Sequence, residues 1–278
     1  MVDAQEFLDK LLKAIKNNTI TLPTLPEVAL RIRDSVESED TSAEQIADMV
    51  ATDAALSARL LQVANSPLYR GRMVIDTIQM AVTRLGTKLI RTLITSLAMK
   101  QIFQATSDTM DQQLHLEWEH SVQIAALSRA LSKQVPYLQA EKAMLAGLVH
   151  NIGSLPVITM AEDYPELVDN GIKLREIIDR VGPTIGETIL TEWGFPETMC
   201  KIPKNYQNLN YDGGNKADFV DLVIVARLQT LPADHPDAQS DWTQVPSFGK
   251  IGLEPEVEVI TIDGVAEEVE GVQEMLLN

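Results

Sequence analysis

The chain has 278 residues, 45% apolar and 23% charged, with a formal charge of −17. That balance describes a folded chain of one large domain or two ordinary ones and excludes a disordered or low-complexity polypeptide. One cysteine, Cys200, excludes a disulfide framework, a cysteine-based zinc knuckle and an iron–sulfur site.

The first residues, Met1-Val2-Asp3-Ala4-Gln5-Glu6, are acidic and lack the basic and apolar regions of a signal peptide. No apolar run approaches the roughly 18 residues of a membrane span on this reading, so a cytoplasmic protein without membrane contact is expected. The charge is uneven. Residues 1–110 hold 12 basic and 13 acidic residues, and residues 111–278 hold 11 and 27. Such a field disfavours duplex binding, and no nucleic-acid partner is expected.

Periodicity predicts helices almost throughout. Phe7, Leu8, Leu11, Leu12 and Ile15 share one face of a helix over 3–17. Leu22-Pro23-Thr24-Leu25-Pro26 interrupts it, with Pro26 suited to the first turn of the next helix, which carries Val28, Ile32 and Val36. Thr41-Ser42-Ala43-Glu44 reads as a capping box. Asp53 is expected to cap a helix that ends at Asn65-Ser66-Pro67. Asp76-Thr77 opens a short helix through Leu85, Gly86 breaks it, and Ile90, Leu93, Ile94, Leu97 and Ile102 line a longer one.

Polar residues 106–111 read as a linker. Further helices are expected at 112–134, 139–151, 173–181, 185–193, 197–207 and 217–230. Residues 231–250 read as a proline-containing loop. Residues 254–262 alternate like a strand and stay open, and a helix is expected from about 264. Its apolar face, Val265, Val269, Val272 and Leu276, must pack on the body or on a partner. The fold class is all-α, an orthogonal multi-helix assembly. The organisation expected is an N-terminal helix at 1–20, a helical subdomain at 21–108, a helical bundle at 109–230, and a loop with an acidic C-terminal segment at 231–278.

Four histidines are present. His120 lies on a predicted helix. His150 stands in Ala146-Gly147-Leu148-Val149-His150-Asn151-Ile152-Gly153, where a buried helix ends and aims an imidazole inward. Imidazole nitrogens are common ligands of divalent metals, although a buried neutral imidazole bonded to a carbonyl explains each residue without any metal. His115 and His235 sit in polar surroundings and are expected to face solvent. Arg70, Arg72, Arg84, Lys88 and Arg91 cluster in sequence, and a solvated face is the favoured reading over an anion patch. Cys200 has no obvious base beside it and reads as a small filler.

The segment 146–153 resembles the His-Asp box of the HD phosphohydrolase superfamily. "TLPTLPEVALRI" at 21–32, "DAALSARLLQVANSPLY" at 53–69, "VIDTIQMAVTRLG" at 74–86 and "GETILTEWGFPE" at 186–197 resemble segments of one branch, the HDOD domains. The resemblance covers roughly residues 21–230, with five motifs in order. In active relatives an earlier His, the His-Asp pair and a later Asp hold a divalent metal that activates water.

The resemblance also marks departures. His120 and His150 match the first two ligand positions. Asn151 stands in place of Asp, "IPKNY" at 202–206 in place of paired histidines, and Arg227 near the later Asp. Asp221 lies six residues earlier on the same helix, about one and two-thirds turns away. The resemblance implies a degenerate metal site that holds no cofactor, with His120, His150, Asn151 and Arg227 as relic ligand positions. Arg227 and Lys204 are candidate anion-contacting groups. A non-catalytic bacterial signal-transduction module that binds a protein partner is expected. A metal-dependent phosphohydrolase acting on a nucleotide, and a nucleotide or small-anion sensor, are the alternatives.

Overall fold

The protein is described by a computed structural model that covers residues 3–17, 19–34, 42–103 and 108–277. Asp3 caps α1 (Ala4–Lys16), its carboxylate accepting from the backbone N–H of Glu6. The helix α2 (Glu27–Asp34) follows the proline segment. Pro26 stands just outside its first turn, where its carbonyl accepts from Ala29 and Leu30. Val36 and Thr41 lie outside the described residues. The capping box forms one residue later than expected. Ser42 and Gln45 exchange the reciprocal bonds at the start of α3 (Ala43–Ala51).

Asp53 caps α4 (Ala54–Ala64), and Asn65 closes it. Thr77 caps α5 (Ile78–Leu85). Gly86, at φ 82°, then turns the chain directly into α6 (Thr87–Ile102), a left-handed conformation that favours glycine. The expected linker is shorter than its polar sequence suggests. Helix α7 (Asp108–Leu131) already runs through 108–111, while 106–107 lie outside the described residues.

Helix α7 is the axis of the larger half. Against it pack α8 (Ala140–Val149), α9 (Ser154–Ala161), α14 (Phe219–Leu228) and α16 (Val265–Leu277). Between these run α10 (Pro165–Val168), α11 (Gly171–Glu192), α12 (Glu197–Cys200), α13 (Ile202–Asn205) and α15 (Pro246–Ile251). No strand occurs among the described residues. Buried apolar side chains from Phe7 to Leu276 form one contiguous core.

The two helices expected at 173–181 and 185–193 are one helix, α11, with Pro183 inside it. The loop 231–250 contains α15 and a 3-10 turn at Trp242–Gln244. Residues 254–262 form turns and a 3-10 turn at Val259–Thr261, with no strand. Ala140–Ala161 is, by length and composition, long and apolar enough to cross a membrane. The sequence reading missed it because His150-Asn151 interrupts the run. A window of it is 94% buried within the fold, where α8 and α9 form the core.

The C-terminal helix packs on the body. Val265, Val269, Val272, Met275 and Leu276 of α16 are buried. Each such side chain gains about 1.5–3 kcal/mol on leaving water. Buried Glu268 of α16 pairs with Arg129 and Lys133 of the α7 end. At the other end, Arg59 of α4 donates to the Met275 carbonyl at 2.7 Å and Lys100 of α6 to that of Leu277 at 2.6 Å. These cations satisfy last-turn carbonyls and complement the helix dipole. The tail thus joins the N-terminal helices to the bundle.

Candidate functional site

Two glycines set the geometry of the His150 segment. A Cβ on Gly147 would lie 2.4 Å from the Cα of Ala125, so α8 approaches α7 backbone to backbone. A Cβ on Gly153 would lie 2.0 Å from the carbonyl oxygen of Gly182. The turn 150–153 is therefore wedged between α7 and α11. This wedge brings His150 to His120, with ring centroids 5.6 Å apart at 73°.

His150 Nδ1 lies 2.7 Å from the carbonyl oxygen of Gly147. A carbonyl only accepts, so Nδ1 carries the proton and Nε2 keeps a bare lone pair. Nε2 is buried and has no hydrogen-bond partner among the described residues, and the same holds for Nδ1 of His120. Burial pushes the His120 pKa down to about 4, helped by the charges of Arg175 and Arg227. His150 is held well below the ordinary histidine range, first by burial and then by His120. Both rings are neutral near pH 7.

Asn151 donates its side-chain amide to Glu117 of α7. Arg175 of α11 grips the same carboxylate with contacts of 2.6 and 3.4 Å, and Gln113 adds a bond at 3.1 Å. Tyr206, at the end of α13, meets His150 edge-on at 4.8 Å. Its hydroxyl accepts from Gln207, which also donates to Asp179 at 3.3 Å. Arg227, buried in the last turn of α14, donates to Asp237 at 2.8 Å and lies 5.9 Å from the Tyr206 ring.

Four of the five residues singled out from the sequence meet here: His120, His150, Asn151 and Arg227. Lys204 does not. It is exposed and pairs with Glu187 at 3.0 Å, apart from Arg227. Asp221 accepts from Ser247 at 2.7 Å and from the backbone N–H of Asp218, the residue that caps α14. His115 is exposed and pairs with Glu119. His235 is half-buried, and its Nδ1 accepts from the backbone of Asp237, helping to shape that loop. In the arginine cluster, Arg84 folds over Gly71 and donates to the Met73 carbonyl at 2.8 Å.

Sequence reasoning missed Glu117, Arg175, Asp179 and Asp237. Glu117 had a signal, because it precedes His120 by three residues and so shares its helix face. The others come from distant segments and had none.

A divalent cation needs charged, deprotonated ligands. Here two neutral imidazoles stand beside two guanidinium groups, and Asn151 presents an amide donor to Glu117. Among the described residues no group of three or more His, Cys, Asp or Glu is placed to hold a metal ion. The residues present do not fit the divalent metal of the HD superfamily.

An all-helical, HD-like bundle with buried His150 and half-buried His120 paired at its centre defines the class. The profile of the HDOD domain matches residues 22–209, and the chain belongs to the HDOD family. A candidate metal-dependent phosphohydrolase of Shewanella amazonensis SB2B is 32% identical and superposes with a TM-score of 0.83, covering 99% of this chain and 100% of that one. An HDOD domain protein of Geobacter sulfurreducens shares the fold at 22% identity and a TM-score of 0.73, over 99% and 100% of the two chains. An uncharacterized protein of Treponema pallidum (strain Nichols) is 25% identical over 92% of this chain. The chain spans about half that relative's length, 51%.

Proposed function

We propose that this chain is a non-catalytic signal-transduction module of a bacterial cytoplasm that acts by binding a partner protein. The observation that carries the reading is the fate of Glu117. Asn151 and Arg175 both spend their donors on this buried carboxylate. The site's charge is thus met by the chain's own residues, and Arg227 is likewise met by Asp237. Such a network rigidifies a scaffold, and recognition on this reading falls to its surface.

The second reading is a metal-dependent phosphohydrolase. It is favoured by the bare Nε2 of His150, oriented as in metal-ligating histidines by the Nδ1 bond to Gly147. The description of the Shewanella amazonensis neighbour points the same way. Elemental mass spectrometry on protein purified without chelator separates the two. The module reading expects no stoichiometric iron, manganese or other divalent ion, and no manganese-dependent hydrolysis of a nitrophenyl phosphodiester. Near-stoichiometric metal that is lost in His150→Ala, together with turnover, would establish the hydrolase. A regulatory partner that co-purifies with the wild-type chain and binds it again as purified components is the positive result for the module.

A further inference from the structure

The loop 231–250, the segment 254–262 and α16 enclose a second concavity. It is a cleft of about 630 Å³ between α7, the end of α14 and α16. Neither histidine of the central pair, nor Glu117 or Arg175, lines it. Its volume falls within the roughly 300–1,000 Å³ typical of sites for small organic ligands.

The walls are mainly apolar, with the neutral polar side chains of Gln123, Gln229, Thr230 and Gln273 among them. Leu127, Leu228 and Val269 are buried beneath it. Trp242 forms one side, stacked on Phe248 at 5.7 Å and 18°. Its indole N–H donates to the carbonyl of Asp237 at 2.8 Å, which locks the ring. At the mouth stand the exposed carboxylates of Glu256 and Glu258.

Among the described residues no Lys, Arg or His lines the cleft. A phosphate or carboxylate entering it would meet like charge without a countercharge. An apolar body with a positive head matches both the walls and the mouth. We propose that the cleft binds a small amphipathic organic cation, its body against Leu127, Leu228, Val269 and Trp242 and its ammonium or guanidinium group between Glu256 and Glu258. This stands independently of the partner-binding reading, since no residue of the histidine site takes part.

The test is calorimetric titration of the full chain with octylammonium and octanoate, which share a body and differ in head charge. At about 20 mM salt screening is weak. Octylammonium should bind about tenfold more tightly, from two solvent-exposed charge contacts of about threefold each. Glu256→Gln with Glu258→Gln should bring the two probes to equal affinity, which separates the mouth from the chain's overall negative charge. Ala233→Trp or Ile260→Trp, both at exposed lining positions, should abolish binding of both probes while circular dichroism stays unchanged. Equal affinities in the wild type, no binding of octylammonium, a preference that survives the double Gln variant, or binding that survives both Trp variants would each overturn the proposal.

Discussion

Replacing Arg175 by Met probes the central ion network. The Glu117 side chain is 0% exposed, and Arg175 is its only ion-pair partner among the described residues. Burial is the largest influence on the Glu117 carboxyl and raises its pKa, while Arg175 is the strongest pull downward. Removing one partner of a buried pair costs about 3–5 kcal/mol. Arg175 is itself 42% exposed, so water already screens part of its charge. Gln113 and Asn151 also stay on the carboxylate. The expected loss is therefore about 2–3 kcal/mol at pH 7.

The pH dependence of that loss has a definite sign. A carboxyl with a raised folded pKa is stabilising in its protonated form, and that contribution is lost as pH rises through the folded value. Without Arg175 the folded value moves further up. The deficit of Arg175→Met should then shrink as pH falls from 7 towards the ordinary glutamate value of 4.5. Urea denaturation at pH 7 and pH 5 reads this directly. Adding Glu117→Gln should recover most of the loss at pH 7, because no charge remains to be buried. An equal deficit at both pH values, or a double variant as weak as the single, would refute the reasoning.

Gly153→Ala should lower stability by about 1–3 kcal/mol in thermal unfolding, because the new methyl meets backbone of α11 that cannot move aside. Arg129→Met strands buried Glu268 with Lys133 alone. It should cost about 2–3 kcal/mol and hasten proteolysis ahead of α16, and Glu268→Gln in the same chain should restore resistance. The His120 ring signals in NMR should stay constant from pH 8 to 5.5, in keeping with a pKa of about 4. Because that pKa is depressed, its contribution to stability is present above the ordinary 6.5 and is lost as pH falls through about 4, so His120→Gln should flatten that acid limb.

The helices that carry their own periodicity and caps were legible from the sequence. Asp53, Thr77 and Gly86 act where local chemistry places them. Most misses follow from long-range effects. Pro183 looks like a break, yet α11 runs through it, because Gly182 and Gly186 pack against Gly153 and hold the helix on course. The capping box moved by one residue, to Ser42 with Gln45, in keeping with the stronger preference for serine over threonine at the cap. At the site, the departures at Asn151 and Arg227 were readable from the motifs, but what they bond to was not. Asp237 lies ten residues beyond Arg227 in a loop without periodicity, and Arg175 sits 58 residues from Glu117. Lys204 looked like a neighbour of Arg227 from the motif alone, but its helix turns it outward to Glu187.

The placement of α16 has a consequence for how the chain is made. Helix α7 ends at Leu131, but the helix that covers one of its faces ends at Leu277. At about 5–20 residues per second, the ribosome needs roughly 7–30 s to deliver the intervening 146 residues. Throughout that interval the nascent chain carries an apolar helix face with no mate. Final closure awaits the last turn, when Met275 and Leu277 reach Arg59 and Lys100. A nascent-chain chaperone thus has a window of many seconds in which to act on the face of α7.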